Sequence, residues 1–164
     1  MKTTTAIRRS VIYRNLYPEL KAIFGAEEAG CIWRYAEHIH QHLHAKYDAA
    51  DPYDCGRYVF PAAAIYLALK KRHPDYDALG LLRSFGTKTG ERMRKLIHAA
   101  TSLPFVPCLI RRNLSRIMHH ASSAELGYTR RIVYDTNDRA EVDILSCPLY
   151  DLAKKIGVPE ACRT

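Results

Sequence analysis

Between Val59 and Leu69 the chain carries no charged residue, and this stretch constrains the fold more than any other. Pro61 suits the first turn of a helix, where a missing N–H costs nothing. The Ala62-Ala63-Ala64-Ile65-Tyr66-Leu67-Ala68-Leu69 that follows is apolar almost all round. A helix without a polar face has to be wrapped by others, so this one, opening at Pro61 and stopping before His73-Pro74, is predicted to be central and the most buried. The run is well short of the ~20 apolar residues that cross a bilayer, so no membrane partner is expected.

The surrounding chain supplies the wrapping. A first helix is predicted from Ser10 to Phe24, with Val11, Leu16, Leu20, Ile23 and Phe24 on its apolar side, a kink or boundary at Tyr17-Pro18, and Gly25 as its end. A second, from Glu27 to Asp48, carries the stripe Ile32, Ala36, Ile39 and Leu43 at helical period, and Asp51-Pro52-Tyr53-Asp54 reads as a loop. A fourth is predicted over Asp75 to Ala100, with Ala78, Leu82, Phe85, Met93, Leu96 and Ile97 sharing a face. Gly80, Gly86 and Gly90 each weaken it by about 1 kcal/mol relative to alanine, and a break near Gly86 is an open alternative. A fifth follows Pro104 or Pro107, with Leu109, Leu114, Ile117 and Met118 inward. After Glu125 the period changes to two: Tyr128 to Asp135 and Ala140 to Leu145 alternate around the turn residues Asp135-Thr136-Asn137-Asp138, predicting a β-hairpin. A last helix starts at Pro148 and ends at Gly157. The fold class expected is α+β: an N-terminal bundle of about five helices, then a short antiparallel hairpin and a C-terminal helix, as one domain over residues 1–164. Because a lone hairpin is marginal, the expectation is that helices cover it or that a partner, such as a second copy of the chain in a homo-oligomer, or a missing segment completes the sheet.

Composition narrows the setting. The 164 residues hold five cysteines, Cys31, Cys55, Cys108, Cys147 and Cys162, odd in number and irregularly spaced. They read as reduced thiols rather than a disulfide framework or a zinc site. The N-terminus, Met1 to Arg9, leads into no apolar core or cleavage site, so a cytoplasmic protein is expected. The formal net charge is +8. It comes as scattered pairs, Arg8-Arg9, Lys70-Lys71-Arg72, Arg111-Arg112, Arg130-Arg131 and Lys154-Lys155. That distribution suits a small anionic substrate, and it does not favour nucleic acid, which normally meets a concentrated basic face.

Two constellations could carry chemistry. In Glu37-His38-Ile39-His40-Gln41-His42-Leu43-His44, His38 and His42 are one helical turn apart, as are His40 and His44. The two pairs flank the apolar stripe on opposite sides and cannot share one ion. Either would need a third ligand, such as His119, His120 or a carboxylate, and no metal or other cofactor is expected. Cys147 stands where a predicted strand passes into a helix N-terminus, a place that favours thiolate and hence a nucleophile. A small buried hydrophobe is the alternative for it. Cys162 is a second candidate. Glu91, Asp143, Asp151, His98, His119 and His120 are candidate proton carriers, among which spacing does not choose.

The apolar Pro61–Leu69 helix, the long helical stretch, the strands ending Asp143-Ile144-Leu145-Ser146-Cys147 and the segment Leu152 to Cys162, with Gly157-Val158-Pro159-Glu160 before the second cysteine, together resemble the L-2-amino-thiazoline-4-carboxylic acid hydrolase family. The likeness runs from about Tyr13 onward, with Cys147, Gly157, Glu160 and Cys162 at matching positions. Members continue past the second cysteine with an acidic residue and further strands, whereas Arg163 and Thr164 follow here, so the likeness is to a C-terminally shortened relative. It implies hydrolytic opening of a cyclic amidine or thiazoline carboxylate on the route to cysteine. In the leading reading Cys147 and Cys162 are the catalytic candidates, Arg131 holds the substrate carboxylate and Tyr66 lines the pocket, unless Tyr66 merely packs in the core. The alternatives are a basic helical binding module for nucleic acid or an acidic partner, a non-catalytic relative, and a metal-dependent enzyme using His38 and His42.

Overall fold

Pro18 decides where the first helix begins. Helix α1 runs Leu16–Phe24, which puts Pro18 in a first turn whose N–H groups have no intrahelical partner anyway. The chain is known as a computed structural model that describes residues 7–10, 12–136 and 139–163. Short 3-10 turns at Ile7–Arg9 and Tyr13–Asn15 replace the predicted start at Ser10, and Val11 lies outside the described residues. Gly25, at φ 81°, ends α1 as expected and opens α2, Ala26–Tyr47.

The central helix starts earlier than Pro61. It is α3, Gly56–Arg72, with Pro61 inside it. Asp51, predicted as a loop residue, is buried and its carboxylate accepts the backbone N–H groups of Cys55 (3.0 Å) and Gly56 (2.5 Å). Two otherwise orphaned donors are satisfied and a negative charge sits at the positive helix end. That capping allows the extra turn despite the proline. Helix α4, Ala78–Thr101, runs unbroken through Gly86 and Gly90; Asp77 accepts the Gly80 N–H at its start, at 2.8 Å.

The predicted fifth helix is two: α5, Val106–Arg112, and α6, Leu114–Ala121. Asn113 separates them, turning its side-chain amide back onto the Leu109 carbonyl at 2.8 Å, the local competition that makes asparagine a helix breaker. Strands β1, Thr129–Asp135, and β2, Ala140–Ser146, form an antiparallel hairpin. Thr136 and Arg139 close its turn with a backbone bond of 2.8 Å, while Asn137 and Asp138 of the predicted turn lie outside the described residues. Helix α7, Pro148–Lys155, follows. The fold is thus α+β, with seven α-helices and one two-stranded hairpin among the described residues.

The chain divides into two compact units, Met1–Thr87 with Leu149–Thr164, and Lys88–Pro148. In unit 1, α1, α2, α3, the first half of α4 and α7 close around one core in which Leu16, Ile32, Phe60, Ile65, Leu82 and Ala153 have no exposed surface to speak of. Each large apolar side chain buried in this way contributes about 1.5–3 kcal/mol. Trp33 is buried too, with the ring of Tyr17 edge-on at 5.6 Å. Glu28 on α2 takes both guanidinium nitrogens of Arg72 (2.6 and 2.7 Å) and the ring of His73 (2.9 Å) at the end of α3. The Arg72 hydrogen bond holds the Glu28 carboxyl at about 2.

In unit 2, α6 rests against β2. Among the described residues no apolar core side chain belongs to this unit. The face predicted for α4 divides accordingly: Ala78, Leu82 and Phe85 are buried, whereas Met93, Leu96 and Ile97 are exposed. Leu109 and Ile117, expected inward, are exposed as well. So are Ile132 and Val133, at the register irregularity between Ile132 and Tyr134.

Candidate functional site

Cys147 lies between Ser146, the last residue of β2, and Pro148, the first of α7, and it is half-buried. The residue stands outside the buried core cluster. Pro148 has no N–H, so Leu149 and Tyr150 begin the row of backbone donors at this helix start. Asp151 adds an acid to the same first turn.

Arg131 is exposed and pairs with Asp143 directly across the hairpin. Asp143 precedes Cys147 by four positions, roughly 13 Å along a strand. Tyr66 and Cys162 belong to unit 1, where each is half-buried and packed against the core, Tyr66 on α3 and Cys162 in the 3-10 turn Pro159–Arg163 that touches α3. For Tyr66 the packing role is the one its surroundings support.

The histidines separate cleanly. His38 and His42 face solvent. His40 is buried at 1% exposure, and its ring meets that of His44 at 4.6 Å, with His44 edge-on to Phe60 at 4.9 Å. Burial, aided by the neighbouring His44, pushes His40 down to about 4 from the ordinary 6.5, so it is neutral at physiological pH. Among the described residues no group of three or more His, Cys, Asp or Glu side chains could hold a metal ion. The third ligand that His38 and His42 would need is not supplied there.

A polar network that spacing did not single out links α6 to the hairpin. His119 Nε2 lies 2.8 Å from the Asp135 carboxylate and its Nδ1 2.8 Å from Arg130. Because a guanidinium only donates, Nδ1 must accept, so Nε2 carries the hydrogen and donates to Asp135. Arg130 also donates to the His119 carbonyl and to the Ser122 hydroxyl, both at 2.8 Å. Hydrogen bonding from Ser115 and then His119 lowers the Asp135 carboxyl below its usual range. His119 was a candidate proton carrier, yet both its ring nitrogens are engaged here, which makes it a clamp between α6 and β1. In the sequence Arg130 stands out only as one of a basic pair and Asp135 only as a turn residue.

Unit 1 also contains a cleft of about 380 Å³ lined by Arg8, Tyr17, Pro18 and Trp33; none of the candidate residues lines it. No helix among the described residues is long and apolar enough to cross a membrane. Compared with known proteins, the chain matches no family model, no curated protein and no solved structure.

Proposed function

We propose that the chain is a thiol-dependent hydrolase that opens a small anionic ring of the cyclic amidine or thiazoline carboxylate type, with Cys147 as nucleophile. The observation that carries this reading is the half-buried Cys147 at the β2-to-α7 junction, together with the resemblance of the Cys147–Cys162 segment to the L-2-amino-thiazoline-4-carboxylic acid hydrolase family. In the reaction, the thiolate adds to the amidine carbon, the ring C–S bond breaks, and the ring sulfur departs and takes up a proton. Water then attacks the same carbon, the bond to Cys147 breaks, and the product carries a ureido group with one water consumed overall. The net positive charge draws the anionic substrate toward the chain. The exposed Arg131–Asp143 pair is worth no more than about 1 kcal/mol. It is therefore open to exchange with an incoming anion, so that Arg131 can hold the substrate carboxylate.

The test is incubation with 2-amino-thiazoline-4-carboxylate, following ring opening by mass spectrometry. Turnover by the unaltered chain and its loss in Cys147→Ala are expected. Full turnover by Cys147→Ala would remove the nucleophile's role, and no ring opening by the unaltered chain would discard this substrate class.

A further inference from the structure

From Lys88 to Ala124 the chain holds seven lysines and arginines and a single acid, Glu91. The scattered charge of the whole chain is here concentrated. The same stretch exposes its apolar residues. On the second half of α4, Met93, Leu96 and Ile97 recur at the three- and four-residue spacing of one helix face and are 52%, 65% and 58% exposed. Arg92 and Arg94 border that stripe on its two sides, and Lys95 lies behind it. In the turn after α4, Leu103 and Phe105 are exposed, and on α5 Leu109 and Ile110 are exposed beside Arg111 and Arg112.

We propose that the Lys88–Ala124 stretch docks on the surface of an anionic lipid bilayer, with its apolar side chains entering the headgroup boundary and its arginines and lysines meeting the lipid phosphates and carboxylates. A helix that lies in an interface needs an apolar face and a cationic border, and it needs no spanning length. Arg92 and Arg94 have long stems that keep their charge at the headgroups while the stripe between them sinks in. A second copy is disfavoured because it would bring the same cationic border against this one. Nucleic acid would meet the charge and leave the aliphatic stripe uncovered. The apolar residues come from helix and turn alike, which suits a fluid surface better than a fitted protein groove. The proposal stands apart from the thiol chemistry.

The experiment is flotation of the full chain with vesicles of phosphatidylcholine alone and of phosphatidylcholine mixed with phosphatidylserine. The chain should float with the phosphatidylserine vesicles, stay behind with the neutral ones, and be released as salt rises. Leu96→Ser with Ile97→Ser changes only exposed positions and should weaken binding by at least about tenfold. Arg92→Glu with Arg94→Glu should weaken it by more than about tenfold, since each cation near an anionic surface is worth about fivefold. Cys147→Ala should float like the parent, which keeps this outcome separate from that of the hydrolase test. No flotation with anionic vesicles at low salt overturns the proposal, as does equal flotation with neutral ones or unchanged flotation of both variants. Dimerisation that Leu96→Ser with Ile97→Ser abolishes, or RNA binding that the arginine variant abolishes, without any vesicle binding, would overturn it in favour of those partners.

Discussion

Units 1 and 2 draw on similar residues and spend them differently. In unit 1 leucines, isoleucines and Phe60 meet across five helices and leave water. In unit 2 Met93, Leu96, Ile97, Leu109, Ile117 and Ile132 remain at the surface, and what joins α6 to the hairpin is the Arg130–His119–Asp135 network. Amphipathic sequence is therefore not the same as a core. An apolar stripe stabilises a fold only when the chain supplies a second stripe to cover it. Unit 1 is held by non-directional burial, and unit 2 by directional bonds that are modest in net worth.

Substitutions can break this contrast. The largest effect is expected from Phe60→Ala, at no exposed surface, which should destabilise unit 1 by about 3–5 kcal/mol in a denaturant melt followed by circular dichroism. The matching change in unit 2, Leu96→Ala at 65% exposure, should stay within about 0.5 kcal/mol. Equal losses would abolish the distinction.

Next comes pH. His40 is held at about 4 when folded, against 6.5 ordinarily. Between those values the unfolded chain binds more protons than the folded one, so stability falls as the pH drops from 6.5 toward 4. The loss should reach up to about 3 kcal/mol, read from melts across that window. His40→Leu should flatten the dependence there, and an unflattened profile would place its source elsewhere.

A smaller loss than that of Phe60→Ala or of His40 protonation sharpens the comparison from the other side. Arg130→Ala removes the partner of His119 Nδ1 and the donor to the Ser122 hydroxyl, which keeps its own bond to the Met118 carbonyl, with a local loss of about 1–2 kcal/mol. Hydrogen exchange should quicken in amides of α6 and β1 and stay unchanged in α2 and α3. Quickening throughout the chain would show that the network supports more than its own unit.

Much of the fold was legible in residue order because period is local information. The stripe on α2, the apolar run in α3 and the alternation of the hairpin all reflect neighbours within a few positions. The departures arose where a single side chain overrode the period. Asp51 caps α3 from a segment that reads as a turn, so Pro61 looked like a start, and Asn113 splits one apolar run into α5 and α6. Of the candidate site, the position of Cys147 between strand and helix was readable, and its half-exposure was not. Which histidine pair turns inward depends on Phe60, contributed by another helix. Arg130 and Asp135 become partners of His119 only once α6 lies on the hairpin, a long-range event that no spacing encodes.

Trp33 is the chain's single tryptophan, and it sits in the unit 1 core against Tyr17. Its indole emission therefore reports on that core alone. A thermal or urea transition followed at this wavelength traces the departure of α1 and α2 from one another, and residues 88–148 are spectroscopically dark in it. Two optical probes that disagree on a midpoint would then show that the chain does not melt in one all-or-none step.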